Sequence, residues 1–265
     1  MPSGQEVNLD LRDDGIAILW LNRPAKLNAL ADDMVERMLV LLDEVAASHT
    51  RVLIVTGNGK GFCAGFDLSL AAFAGEEASD QEAVAGAWMA RQERYAALVT
   101  RLRGIPQPTI AAVNGAACGA GLGLALACDI RIASHAAKFN SAFIQVGMSS
   151  CDIGVSYLLP RAIGTTRAFE LMLTGRMVKA SEAERIGLVS QLVHQEALMD
   201  TALALGGQIA ANGKLATWMT KRGMWANLEA GSLAAALELE NRTQILMRGT
   251  GGLLKRAKAR GFVKE

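Results

Sequence analysis

Apolar residues recur along this chain with two different periods, and each change of period marks where one kind of element gives way to another. Residues 15–21 (GIAILWL), 51–56 (RVLIVT), 109–113 (TIAAV) and 129–133 (DIRIA) are short apolar runs rich in β-branched side chains, and they predict buried strands. Between the first two, Leu30, Met34, Met38, Leu41, Leu42 and Val45 recur at helical spacing with acids and Arg37 among them, which predicts an amphipathic helix over 30–46. A glycine-rich turn and a short apolar helix, 121–127, separate the last two runs. Strand and helix alternate, so the class is α/β. From Thr165 the pattern turns helical, with helices over 165–173 and 181–186, a strand over 188–193, and a long alanine- and leucine-rich series from 196 broken by Gly213, Gly223 and Gly231. A soft boundary near 195 therefore divides a core, 1–195, from a wholly helical region, 196–265. The segment 73–86 is acidic and glycine-punctuated, which predicts a mobile loop leading into a helix, and 69–90 carries no readable pattern.

Composition narrows the picture. With 51% hydrophobic and 20% charged residues the chain is not disordered, and 5% aromatic residues indicate an aliphatic, alanine-rich interior. A formal charge of +1 provides no global field for nucleic acid or an anionic membrane, so any anion site is local. Residues 104–128 are uncharged and contain two overlapping GxxxG spacings at Gly115, Gly119 and Gly123. Pro106 and Pro108 break that run and Asn114 interrupts it, so a buried strand, a glycine turn and a buried helix are expected rather than a membrane span. Cys63, Cys118, Cys128 and Cys151 form no CxxC pair and have small or apolar neighbours, the pattern of reduced thiols in a cytosolic core and not of a zinc site. The first residues show no basic stretch followed by an apolar one, so no signal peptide is expected and a cytoplasmic location is.

Two glycine turns hold the candidate chemistry. Residues 57–68 (GNGKGFCAGFDL) follow a strand, and 114–123 (NGAACGAGLG) follow another and open an apolar helix. Small residues let a ligand approach the backbone, and a helix start presents unpaired N–H groups to developing negative charge. Each turn alone also reads as an ordinary connection, and the second lacks the lysine and acid of a nucleotide fingerprint. A pair of backbone donors from separate turns, however, is what a thioester enolate needs.

The stretch 21–30 (LNRPAKLNAL), then 61–68 (GFCAGFDL), then 114–129 through Cys128 and Asp129, resembles the crotonase, or enoyl-CoA hydratase/isomerase, family. The likeness continues through 158–161 (LLPR), 173–176 (LTGR) and 186–189 (IGLV), nearly the whole chain. The resemblance implies a spiral of ββα turns with a C-terminal helical region that builds trimers, often paired into hexamers. It implies an acyl-CoA substrate, with coenzyme A entering as part of the substrate and no other cofactor or metal. Carried over by position, it puts the two oxyanion donors on the backbone N–H groups of Ala64 and Ala120. Arg23 and Lys26 fall on the stretch that lies along the CoA nucleotide, although as surface cations they also read as a solvated turn. Leu27, Phe62, Gly65, Phe66, Asp67, Leu68, Gly119 and Phe143 complete the expected substrate contacts. Asp67 and Asp129, read on their own, are turn and packing residues.

The departures matter more. Gly123 and Phe143 occupy the positions where family hydratases carry two glutamates, and neither moves a proton. Asp152, in 147–157 (GMSSCDIGVSY), stands where an isomerase-like branch carries its acid, and it also fits as the N-cap of a following helix. His49, His135 and His194 lie outside these motifs, which disfavours a Ser/His/Asp hydrolase. The resemblance thus implies double-bond isomerisation with Asp152 as acid/base, with 2-enoyl-CoA hydration as the alternative and a non-catalytic acyl-CoA-binding member as a further one.

Overall fold

The computed structural model describes residues 6–70 and 81–263. A hairpin of β1 (Val7–Leu11) and β2 (Ile16–Leu21) opens the fold, its turn set by Gly15 at φ +80° and by the Asp14 carboxylate, which accepts from the Ile16 N–H at 3.0 Å. Helix α1 (Asp32–Ala47) follows, burying the stripe the spacing predicts.

The chain then repeats one unit. A longer strand is followed by a strand of three residues: β3 (Val52–Gly57) with β4 (Gly61–Cys63), then helix α2 (Gln81–Gly104); β5 (Thr109–Val113) with β6 (Ala116–Cys118), then α3 (Ala120–Ala127); β7 (Ile130–Ser134) with β8 (Lys138–Asn140), then α4 (Val155–Ile163). Helix α5 (Thr165–Thr174), β9 (Val178–Lys179), α6 (Ala180–Arg185) and β10 (Gln191–Val193) close the spiral. The longer strands form one sheet, β1-β2-β3-β5-β7-β10, and the short ones a second, β4-β6-β8-β9; apart from the outer pairs β1/β2 and β8/β9, neighbours run parallel. This is the ββα spiral.

The apolar runs are continuous because the large sheet is covered on both faces. Leu19, Leu21, Leu53, Val55, Ala111 and Val113 face the main core with α1 and α3. Their alternates Ile16, Ile18, Val52, Ile54, Ile110 and Ile132 face the other way, onto Leu198 and Ala202 of α7 (Leu198–Ala210). The first helix of the C-terminal helical segment thus completes the core.

Helix α8 (Lys214–Asn227) is pinned by a buried charge. Lys221 Nζ lies 3.1 Å from Asp129 Oδ2 and donates to the carbonyls of Leu102 at 3.1 Å and Gln107 at 2.9 Å, while Trp225 Nε1 donates to Asp129 Oδ1 at 2.7 Å. Asp129 is thereby a packing residue, also accepting from the Thr109 N–H at 2.7 Å. Burial pushes the Lys221 ammonium below its usual range, with Asp129 opposing. Lys221→Ala leaves the carboxylate without its partner, so we expect a loss of about 3 kcal/mol, read as a lower urea midpoint with unchanged slope. Beyond α8, α9 (Leu233–Gly249) and α10 (Gly252–Ala259) bury no residue, and Leu233, Ile245, Leu254 and Phe262 are exposed.

Several expectations need correction. The strands β4, β6, β8 and β9 went unread because two or three residues carry no period, so part of each expected glycine turn is a strand. Residues 188–190 are turn, leaving only Gln191–Val193 as strand. Of the loop expected over 73–86, residues 73–80 lie outside the described ones, and the remainder is already helical from Gln81. Cys151 is exposed rather than in a core, whereas Cys63 and Cys128 are buried and their thiols pushed up to about 12 by desolvation. Among the described residues no helix is long and apolar enough to cross a membrane, and no group of three or more His, Cys, Asp or Glu side chains could hold a metal.

Candidate active site

The three motifs meet at the turn between β3 and β4. Asn28 donates its side-chain amide to the carbonyls of Asn58 at 3.0 Å and Gly61 at 2.8 Å, and its Oδ1 accepts from the Arg23 N–H at 2.8 Å. Asn114 donates to the carbonyls of Gly59 at 2.9 Å and Gly61 at 3.2 Å, and accepts from the Gly57 N–H. Two buried asparagines satisfy a turn that would otherwise hold orphan carbonyls. No side chain fits between these layers, since a Cβ on Gly115 would lie 2.0 Å from the Lys60 carbonyl oxygen. The same grip holds Leu27 and Asn28 in the left-handed region, at φ +49° and +58°; for leucine this is strained backbone beside a candidate site.

Beyond β4 the chain runs past Gly65 at φ +98°, where a Cβ would lie 2.8 Å from the Cys118 carbonyl oxygen and 3.4 Å from the Ala120 nitrogen. The Gly65–Phe66 peptide therefore lies against the start of α3. Leu30 N–H donates to the Gly65 carbonyl at 2.7 Å and Asp67 N–H to the Leu30 carbonyl at 3.0 Å, so the Phe66 N–H, between them, points away from Leu30. Among the described residues it has no acceptor. The Ala64 N–H, the donor expected from sequence, instead bonds the Leu27 carbonyl at 3.0 Å. The available donor of this turn is thus two residues later than expected. Its counterpart is Ala120, the first residue of α3, which no side chain caps. Two N–H groups from separate turns beside a helix start form a notch suited to a developing oxyanion.

The carboxylate comes from the loop before α4. Ile153, at φ +41°, packs over Gly123, where a Cβ would lie 2.6 Å from Ile153 Cγ2. Gly123 is one turn beyond Ala120, so this contact brings Asp152 to the rim of the notch and fills the space a glutamate at 123 would need. The cap of α4 is Gly154, with no side-chain hydrogen bond, and Asp152 does not serve as its N-cap. Asp152 Oδ1 accepts from the Ile153 N–H at 2.7 Å and from Gln92 Nε2 of α2. Burial pushes the half-buried Asp152 carboxyl above the usual carboxylate range, with those two donors opposing. The Phe143 ring lies over Gly119, where a Cβ would be 3.6 Å from it.

The remaining expected contacts divide. Arg23 is not free for a nucleotide: its guanidinium bonds Glu6 at 2.9 Å, Asp67 at 3.0 Å and the Ala29 carbonyl at 2.6 Å. Asp67 is buried, accepts from Arg23 and from the Ser69 hydroxyl and N–H, and is held below the usual carboxylate range chiefly by Ser69, which makes it a turn residue. Phe62 is wholly buried in the main core. Lys26, Leu27 and Leu68 are exposed, and Phe66 meets Tyr95 edge-on at 5.7 Å and Arg91 at 4.8 Å. Sequence reasoning missed Gln92, although Tyr95, Leu98, Val99 and Leu102, all buried, carry the spacing of its helix.

A ββα spiral with paired backbone donors and one acid at their rim defines an enzyme of the crotonase fold. Residues 12–248 match the enoyl-CoA hydratase/isomerase family, and the chain belongs to it. It is 40% identical, over 91% of its own length and 82% of the relative's, to a probable enoyl-CoA hydratase of Mycobacterium leprae. Among solved structures it matches a probable enoyl-CoA hydratase/isomerase from Mycobacterium abscessus with a TM-score of 0.86 and 39% identity, covering 97% of this chain and 96% of that one. It also matches a monofunctional enoyl-CoA isomerase from Mycobacterium smegmatis with a TM-score of 0.74 and 41% identity, covering 88% of this chain and 99% of that one.

Proposed function

We propose that this enzyme isomerises the double bond of an enoyl-CoA, using Asp152 as both acid and base. The observation that carries the reading is the Gly123–Ile153 contact, which leaves no room for a glutamate at 123, while Phe143 fills the second glutamate position and, among the described residues, Asp152 supplies the carboxylate. The thioester oxygen of a 3-enoyl-CoA accepts from the N–H groups of Phe66 and Ala120, which makes the C2 proton acidic. Asp152 takes that proton, the electrons spread into a dienolate, and the same carboxyl returns the proton at C4 to give the 2-enoyl-CoA. Hydration asks for a held water and protons at two carbons, and one carboxylate without a second anchor serves it poorly. The Mycobacterium smegmatis isomerase among the similar structures supports this choice, and the name of the Mycobacterium leprae relative favours hydration as the second reading. Exposed Lys26 is the cation left to meet the CoA phosphates, and the exposed apolar side chains of α9 and α10 fit burial in a homotrimer or a dimer of trimers.

The two readings separate when 3-enoyl-CoA and 2-enoyl-CoA thioesters of matched chain length are supplied and products identified by chromatography and mass. The expected outcome is conversion of the 3-enoyl to the 2-enoyl thioester, with no comparable gain of water. Rapid hydration without isomerisation overturns the proposal.

A further inference from the structure

Asp152 is held from two sides. On its own loop, the strained backbone of Ile153 aims that residue's N–H at Oδ1, and the strain is kept in place because the Ile153 side chain occupies the space that Gly123 leaves open. From the opposite wall, α2 brings Gln92, whose amide donates to the same Oδ1. Oδ2 receives no hydrogen bond among the described residues. A carboxylate with one oxygen doubly bonded and the other open has a defined proton-transferring atom, whereas one held by a single neighbouring N–H turns more freely about its own bonds.

We propose that Gln92 is a positioning residue for Asp152, fixing Oδ1 so that Oδ2 faces the carbons between which the proton moves. This rests on the reading of Asp152 as the base. Gln92 also favours the ionised form of a group that burial disfavours. Among the described residues the influences on Asp152 are burial, the Ile153 N–H and Gln92, and no charged side chain is one of them. α3, beneath the loop, offers only glycine, alanine and leucine, and α4 opens with Val155. Removing Gln92 therefore raises the Asp152 pKa. A base must be ionised to act, so the acid limb of the kcat/KM profile moves to higher pH.

The test compares pH profiles for isomerisation of a 3-enoyl-CoA by the wild type, Gln92→Leu, Gln92→Glu and Asp152→Asn. Gln92→Leu is expected to lower kcat about tenfold with KM within about twofold, and to move the acid limb up by about one pH unit. Gln92→Glu places two carboxylates in one site and is expected to move it further. A limb that stays in place in both variants overturns the positioning role, whether or not activity falls, because a merely structural loss would not shift it. If Asp152→Asn keeps full activity, the base reading itself fails, and the positioning role with it. If only Asp152→Asn loses activity, the base stands and the role of Gln92 is refuted.

Discussion

Asp152→Asn is expected to slow isomerisation of a 3-enoyl-CoA by roughly a hundred- to ten-thousandfold while leaving acyl-CoA affinity nearly unchanged. Asparagine keeps the shape of the side chain and can still accept at its carbonyl oxygen from the Ile153 N–H and Gln92, but it cannot carry a proton. Residual turnover survives because the Phe66 and Ala120 N–H groups still stabilise the enolate, each donor contributing on the order of 3 kcal/mol. Binding and chemistry are read separately, by calorimetry with a non-isomerisable acyl-CoA and by single-turnover rates. The wild type also has a pH signature: burial raises the Asp152 pKa, so kcat/KM falls as pH drops through that raised value. A variant that isomerises at the wild-type rate would move the acid to another residue.

Ending the chain at residue 195 is expected to abolish soluble folded protein. The reason lies in the second face of the large sheet, where Ile16, Ile18, Val52, Ile54, Ile110 and Ile132 pack against α7. Burying one such side chain is worth roughly 1.5–3 kcal/mol, so uncovering these six costs roughly 9–18 kcal/mol. That equals or exceeds the roughly 5–15 kcal/mol by which a domain is ordinarily stable. The cut also removes Lys221, which leaves Asp129 without its cationic partner. Ending the chain at about residue 230 instead keeps α7 and α8 and is expected to give soluble protein with altered sedimentation, since the exposed apolar side chains of α9 and α10 are gone. Soluble, folded protein from the shorter chain, judged by circular dichroism and sedimentation, would show that α7 is dispensable to the core.

Strands β2, β3, β5 and β7 and helix α1 were legible because each is an apolar run or stripe of five or more residues, whereas β1, equally long, went unread because its apolar positions alternate with Asn8 and Asp10. The strands of the small sheet were not, since they are held by register with their neighbours and by asparagines distant in sequence. The helix that bears Gln92 carries its stripe only in its second half, where Tyr95, Leu98, Val99 and Leu102 are buried. Arg23 shows the reverse: the family resemblance lays it along the CoA nucleotide, yet its guanidinium is taken up by Glu6, Asp67 and a carbonyl.

The sequence by itself determined the α/β class and the two glycine turns, which follow from local residue identity and period, while the positions of Gly123, Phe143 and Asp152 took on meaning only through the family resemblance. Only the tertiary structure decided which N–H of the second motif is free, because Ala64 and Phe66 differ in nothing but the direction their peptides face once Leu27 and Leu30 pair alongside them. It alone decided that Asp152 is a held carboxylate rather than a helix cap, because Ile153 must fit against Gly123 and Gln92 must arrive from a helix sixty residues away in sequence. Hydrogen-bond direction and close packing belong to pairs of segments, and no single segment encodes them.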